Sequence, residues 1–407
     1  MVSRYSSLTQ PHLAVLVPEL LLIGHLFDRA GMPYALGEWG EAEMAAVAIE
    51  EWECASPIYT RRMQKALRYE GDDIITIFKG LQLDIGAPPQ FMDFRYEVTD
   101  RWHGAFQLDH CGALLDVEPM GEDMVFKMCH DIEDPTFDAT AVATNPKAQV
   151  RPIHRPPRTP ADRHPHCAWT VSIEDDHPEV RAADGVAVLE RTHAAQLDLT
   201  PIDPTEEGAS DYAGDLVSDI DFGSFSHSAL VRMADEVVIQ QHLLALSFAR
   251  AIRKRAASDD VYQRIVRNAF IGHAGIAAER ITRALGLSGT PEDATLVASL
   301  HPAFNPAAYV SFGRDEATIA VAESTAHADE AGAALISPEH PEALQTIARG
   351  VNPRLGVTIS GTTTDWSARV VETDEETPEH EAVTIAKFSL GATFEFQPRA
   401  TLPLFVL

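Results

Sequence analysis

Residues 88–98 read PPQFMDFRYEV, and residues 301–312 read HPAFNPAAYVSF. In the first stretch two prolines end a helical pattern, and a strand-like alternation of apolar and polar residues follows. The second stretch holds the same place in the second half of the chain, and the alignment sets Tyr96 opposite Tyr309. This match predicts that the chain contains two copies of one structural unit.

Two further pairs of segments support the duplication, because they occur in the same order in both halves. The offset between partners drifts only from 218 to 207 residues. A period of this length predicts two similar lobes rather than a solenoid. The pairs are RRMQKAL at 61–67 with ERITRAL at 279–285, and NPKAQVRPI at 145–153 with NPRLGVTIS at 352–360.

Within each predicted lobe, helices come first and strands follow. Residues 11–86 carry apolar side chains at steps of three or four, which is typical of helices, and Pro57 predicts the start of a separate helix. Because the strands come after the helices, the sequence predicts an α+β fold. Each of its two similar lobes would be a helical layer packed on a small antiparallel sheet. The first predicted strands lie in FRYEVTD (94–100), GAFQLDHCGAL (104–114), AQVRPIHR (148–155) and CAWTVSIE (167–174).

The predicted boundaries divide the chain into three parts. Residues 1–175 form the lobe that carries cysteine and histidine, 176–222 form an acidic connection, and 223–407 form a degenerate second copy. On this alignment Cys111 falls opposite Ser324. Any thiol chemistry is therefore expected in the first lobe, with the second lobe as a structural or pocket-forming partner.

The composition limits the classes of partner. The chain has 407 residues with 32 basic and 61 acidic side chains, a net charge of −29. Such a surface disfavours nucleic acid and anionic membranes, and the expected partner is a small molecule. The apolar run at 13–27 is too short to span a bilayer, and only four cysteines are present, so we expect a cytoplasmic protein with reduced thiols. A homo-oligomer is compatible with these data.

Three of the four cysteines lie beside a histidine. They occur in DHCG (109–112), CHDIEDP (129–135) and HPHCAW (164–169). The fourth, Cys54, is predicted to be a small buried apolar residue. If the three sulfurs met around one pocket with a histidine, they would form the tetrahedral soft-ligand shell that zinc prefers. The predicted metal ligands are Cys111, Cys129, His130 and Cys167, with zinc as the first expectation and iron or manganese as alternatives.

The spacing of these residues is less specific than their clustering. The cysteines are 18 and 38 residues apart, and no CxxC brings two ligands together. Neighbouring residues on a strand point to opposite faces, so His110 and Cys111 cannot easily bind one ion. His25, His242 and His273 lie in apolar helices and are predicted to be core histidines. The acidic neighbours that could act as ligands or general bases are Asp109, Asp131, Glu133 and Asp134.

The order of features in residues 11–175 resembles the L-2-amino-thiazoline-4-carboxylate hydrolase-like family. The resemblance lies in a helical part before a small sheet, and in cysteines at DHCGAL, MCHDIED and HCAWTV. It implies a hydrolytic enzyme that acts on a small ring or a C–N bond. The histidines beside each cysteine and the degenerate second copy depart from the family pattern and leave the substrate open.

The leading functional hypothesis is a hydrolase or hydratase for a small organic molecule. A metal held by the cysteine–histidine cluster would activate water, and Asp109 or Asp131 would take the proton. Without a metal, Cys111 would be the nucleophile, with His130 or His154 as its base. The alternatives are a small-ligand sensing protein with a structural cysteine cluster, and a non-haem iron oxygenase. GxGxxG, Walker, HExxH and GxSxG motifs are absent from the sequence.

Overall fold

Each half of the chain begins with two long helices and continues into a sheet. The computed structural model describes residues 2–330, 332–399 and 404–406. The helices are α1 (Gln10–Trp39), α2 (Glu41–Ala66), α3 (Ile74–Leu81), α4 (Gly112–Val117), α5 (Glu122–Phe126), α6 (Glu133–Val142), α7 (Val186–Leu189), α8 (His193–Gln196), α9 (His227–Arg255), α10 (Asp259–Ala284), α11 (Pro291–Leu300), α12 (Thr325–Ala328), α13 (Glu342–Val351) and α14 (Glu381–Ala386). The strands are β1 (Met92–Val98), β2 (His103–Cys111), β3 (Ala148–His154), β4 (Cys167–Ile173), β5 (Ser311–Asp315), β6 (Thr318–Ala322), β7 (Leu355–Gly361), β8 (Trp366–Glu372) and β9 (Phe405–Val406).

The two sheets repeat one strand order, which confirms the α+β fold with two similar lobes. The first sheet runs β3-β4-β2-β1-β9 and the second runs β5-β6-β8-β7. Apart from the two-residue strand β9, which lies parallel to β1, all the pairings are antiparallel. With β9 set aside, in both lobes the second strand of the first hairpin therefore pairs with the last strand of the same half: β2 pairs with β4, and β6 pairs with β8.

Two details of the sequence prediction are wrong. Tyr96 lies inside β1 and pairs with Phe106, whereas Tyr309 precedes β5, so the two tyrosines are not equivalent. Pro57 does not begin a helix, because α2 continues through it to Ala66. A proline inside a helix removes one hydrogen bond, and the packing of α2 against α9 offsets that loss. The glycine that does separate two helices is Gly40, whose φ of 82° ends α1.

The long helices of the two lobes share one core. Helices α1 and α2 pack against α9 and α10, and the buried apolar residues of both lobes form a continuous cluster. The Gln241 side chain of α9 donates a hydrogen bond of 2.7 Å to the Leu20 carbonyl of α1. On α10, the fully buried Arg280 guanidinium donates to the Glu19 carboxylate of α1 across 2.7 Å. The lobes are thus joined by apolar packing and by buried polar contacts.

Residues 388–399 return from the second lobe to the first. Ser389 Oγ and the Leu390 backbone N–H donate to the Asp116 carboxylate at 2.6 and 2.8 Å. Further along, Gln397 and Gln90 exchange two hydrogen bonds of 2.8 and 3.0 Å. Helix α14, which precedes this segment, packs on α1, and residues 390–392 contact α4, so part of the second lobe reaches the site described below. None of the helices in the described part of the chain has both the length and the apolar character that a membrane span requires.

Candidate functional site

The three predicted cysteine ligands are buried on the inner side of the first lobe. Cys111 ends β2, Cys167 begins β4, and Cys129 lies in a π-helical segment, Lys127–Ile132. A β-bulge orients Cys111, because two residues of β2 face one residue of β1 between the pairs Phe94–Leu108 and Met92–Cys111. The bulge buries both Leu108 and Cys111, whereas regular alternation would turn one of them outward.

The thiols lie around one carboxyl group, that of Glu133. A negative charge on Glu133 raises the pKa of all three thiols, and negative charges on Cys111 and Cys167 would raise the pKa of Cys129 further. Burial raises the pKa of Cys111 to about 12 and moves the pKa of Cys129 and Cys167 well above the ordinary thiol value. At neutral pH and without a metal these groups are therefore protonated thiols, which are weak nucleophiles.

Two of the four predicted metal ligands, Cys111 and His130, are engaged in other contacts. Cys111 Sγ accepts a hydrogen bond of 3.3 Å from the Leu114 backbone N–H and so caps α4. His130 Nε2 donates to the Pro156 carbonyl at 2.7 Å, and its ring stacks on Phe126 with centroids 3.9 Å apart. Among the residues that the structure describes, no group of three or more His, Cys, Asp or Glu side chains could hold a metal ion. The residues present do not fit the predicted metal shell, and the metal stays a prediction from sequence.

The predicted catalytic residues lie near the surface. Asp109 is exposed, accepts a hydrogen bond from Gln107, and lies 3.7 Å from Arg95. Asp131 is exposed and forms an ion pair of 2.6 Å with Lys127. His154 is partly exposed at the end of β3, and its pKa is lowered by desolvation and by the charge of Arg163. None of these three residues lines either of the two cavities described below.

A buried polar cluster on α1 was missed by the sequence analysis. His25, Asp28 and Arg29 are three and four residues apart, so they share one face of the helix. The Arg29 guanidinium contacts Asp28 at 2.5 Å, Asp116 at 3.1 Å and His25 Nε2 at 3.3 Å. Burial, followed by the Arg29 charge, lowers the pKa of His25 well below the ordinary value, so His25 is neutral. The signal in the sequence was the charged pair beside a histidine in an otherwise apolar helix.

Two more buried carboxyl groups face this cluster. Glu51 on α2 is 0% exposed, and neither of its carboxyl oxygens has a hydrogen-bond partner. Burial, with the nearby Asp28 charge, raises the pKa of Glu51 well above its ordinary value. Asp84 accepts hydrogen bonds from the Tyr59 hydroxyl at 2.9 Å and the Gly86 N–H at 2.7 Å. Desolvation still raises the pKa of Asp84 to about 6.

Glu133 follows the π-helical segment directly and is the centre of the site. Its Oε2 is buried without a hydrogen-bond partner, although the residue as a whole is partly exposed. Desolvation raises the pKa of Glu133 to about 8, against the opposing charge of Arg155. π-helical segments are frequent at functional sites, and here the segment places Met128 and Ile132 in the wall of a cavity that Glu133 also lines.

A small cavity lies against these groups, and we call it the acidic cavity. Its volume is about 90 Å³. Apolar side chains, including Trp52, Phe94 and Phe137, complete its wall. Its carboxyl groups thus face a space that is largely apolar and poorly solvated. The polar residues that line it include His25, Asp28, Arg29, Asp84 and Glu133.

A larger cavity adjoins the first, and we call it the methionine cavity. Its volume is about 560 Å³, and both cavities are lined by Asp28, Arg29, Met128 and Ile132. Helix α14 and the residues after it supply a wall from the second lobe, including Ile385 and Phe388. Five methionines line the methionine cavity, namely Met32, Met44, Met120, Met124 and Met128.

This arrangement suits acid–base chemistry on a bound organic molecule. Glu133 is mostly protonated near pH 7 and can donate a proton, whereas Asp84, with a pKa near 6, is mostly ionised and can accept one. Two carboxyl groups with separated pKa values in one apolar site are a common arrangement for an acid and a base.

Comparison with protein-family models, with curated proteins and with solved structures found no match to this chain. The resemblance to the L-2-amino-thiazoline-4-carboxylate hydrolase-like family therefore rests on the order of sequence features alone.

Proposed function

We propose that the protein is a hydrolase or hydratase for a small organic molecule, with Glu133 as its acid–base residue. One observation supports this proposal: Glu133 lines a cavity, and its buried Oε2 has no hydrogen-bond partner. The raised pKa of Glu133 also keeps its carboxyl group protonated near pH 7. Such perturbed carboxyl groups in clefts are typical of active sites.

The proposed reaction adds water to the carbon of a C–N bond. The Asp84 carboxylate takes a proton from the attacking water, and the water oxygen bonds to that carbon. The C–N bond breaks as the Glu133 carboxyl gives its proton to the leaving nitrogen. Proton exchange with solvent then returns Asp84 to its charged form and Glu133 to its neutral form. The Arg29 guanidinium, held by Asp28 and Asp116, keeps these walls in place and presents a fixed positive charge.

The test is ammonia or amine release from a panel of amides, lactams and cyclic amidines. We expect the wild-type protein to turn over at least one of them, and Glu133→Gln to lower kcat by about 10²–10⁴-fold with unchanged circular dichroism. Asp131→Asn is the matched control, because Asp131 is an exposed carboxylate two residues away. Absence of turnover across the panel, or full activity of Glu133→Gln, contradicts the proposal.

A binding protein without turnover is the second candidate, and the methionine cavity favours it. A volume of about 560 Å³ with an apolar lining is typical of a small-molecule binding pocket. In that case the cysteines would be structural, as their neutral buried thiols permit. A compound that stabilises the protein but is never consumed by wild-type protein would support this candidate over the hydrolase.

A further inference from the structure

We infer that the molecule bound at this site is an amphipathic organic cation. Its apolar body would lie in the methionine cavity, and its protonated amine or amidinium group would lie against the carboxyl groups of the acidic cavity. This inference rests on the proposed function, since it concerns the same two cavities, and it names the chemical class of the ligand.

The charges around the acidic cavity favour a cation. Arg29 is the only arginine or lysine among the lining residues, and Asp28 and Asp116 already hold its guanidinium. The carboxyl groups of Asp28 and Glu133, which line this cavity, each keep one buried oxygen without a hydrogen-bond partner. The unpartnered Oε2 of the neutral Glu133 carboxyl can accept a hydrogen bond, and the ionised Asp84 carboxylate is stabilised when an opposite charge reaches it. A ligand cation would supply that charge, whereas a ligand anion would meet several acids and a cation that is already paired.

The methionine cavity suits an apolar body rather than a second charge. Methionine side chains are flexible and polarisable, so they adapt to ligands of different shape. Apolar side chains also extend to the surface at the rim, where Met120 is 49% and Phe388 is 38% exposed. An exposed apolar rim around a cavity is typical of a ligand-binding site.

The one lysine in the methionine cavity does not recruit an anion. Lys387 Nζ lies 2.7 Å from Glu279 and 2.6 Å from Glu379, so two carboxylates already neutralise its charge. Arg29, the other basic residue of this lining, is paired as described above. Among the described lining residues of the two cavities, no lysine or arginine is therefore left unpaired to bind the carboxylate of a fatty-acid-like ligand.

The two cavities adjoin at residues that can accommodate such a molecule. Asp28 and Arg29 line both cavities, so the methionine cavity ends against a charged wall. Met128 lies on the same boundary, and its flexible side chain can move aside for a ligand that reaches from one cavity to the other. The apolar body and the cationic group of one molecule would then contact the two sets of side chains together.

The test is isothermal titration with octylamine, octanol and octanoate, which share one chain length and differ in charge. We expect octylamine to bind most tightly, and its affinity to exceed that of hexylamine by roughly three- to fourfold per methylene. Glu133→Gln and Asp84→Asn should each weaken octylamine by about tenfold, and Asp131→Asn should leave its affinity unchanged. The Glu133 variant keeps the test valid if the Asp84 variant does not fold.

The outcomes separate this inference from the proposed function. If octanoate binds as tightly as octylamine, or if neither binds, the inference is overturned, and turnover of a C–N compound would still support the hydrolase. If octylamine binds as expected while no compound on the panel is consumed, the inference stands and the hydrolase proposal fails.

Discussion

Asp131 and Glu133 are two residues apart in CHDIEDP, yet they occupy different environments. Asp131 is exposed and paired with Lys127, whereas Glu133 lines a cavity with a buried, unpartnered oxygen. The π-helical segment between Lys127 and Ile132 changes the direction in which successive side chains project. Residue type alone therefore could not identify which carboxyl group lines the cavity.

The raised pKa of Glu133 predicts a pH-dependent stability. Its pKa is about 8 in the folded protein against an ordinary value of 4.5, so the folded state binds the proton more tightly. The free energy of unfolding should then fall as pH rises between these two values. Glu133→Gln removes this loss, so its stability gain over wild type should be larger at about pH 8.5 than at about pH 5 in urea unfolding.

The control for this prediction is Asp131→Asn, which should show no such pH-dependent gain. An equal effect of Glu133→Gln at both pH values would show that Glu133 titrates normally.

Buried thiols should react slowly in the native protein. All four cysteines are buried, and burial raises the pKa of each thiol, Cys54 included. The thiolate is the reactive form, so titration with a chromogenic disulfide near pH 8 should show little native reaction and four thiols after denaturation. Fast modification of Cys111 in the native protein would contradict this and would restore the cysteine-nucleophile hypothesis.

At the scale of elements, the contact between α1 and α10 includes a buried ion pair. Arg280 lies within α10 and donates to Glu19 of α1 and to the Gly391 carbonyl. Arg280→Ala would leave Glu19 as an uncompensated buried charge. We expect a loss of about 3–5 kcal/mol in the free energy of unfolding, measured by urea denaturation.

The double variant Glu19→Gln with Arg280→Met is the matched control. It removes both charges and keeps most of the side-chain volume, so it should recover much of the lost stability. If Arg280→Ala costs no more than an exposed pair such as Arg181→Ala, the α1–α10 contact does not depend on this ion pair.

The order of elements could be predicted from sequence, because helical and strand periodicities differ and recur in both halves. The bulge before Cys111 and the passage of α2 through Pro57 could not, since tertiary packing decides them. The convergence of Cys111, Cys129 and Cys167 around Glu133 follows from strand pairing that periodicity does not specify. The sequence predicted His25 to be a core histidine, but its contact with Arg29 and the burial of Glu51 could not be predicted, because they depend on neighbours in space.

At the scale of the molecule, the lobes do not have separate cores. Helices α1 and α2 bury their apolar faces on α9 and α10 of the other half. A fragment of residues 1–175 or 223–407 would expose that surface to water. We expect neither fragment to show a cooperative thermal transition by circular dichroism, whereas the full chain should unfold in one transition.

Co-expression of the two fragments is the informative control, because it restores the shared interface. A cooperative transition in either fragment alone would show that the lobes fold independently.

The wall that α14 and Phe388 contribute to the methionine cavity has a consequence for biosynthesis. During translation residues 1–175 are made long before residues 384–388, so the methionine cavity lacks its wall from the second lobe until then. The methionine cavity is therefore completed only after residues 384–388 have been made and have packed against the first lobe.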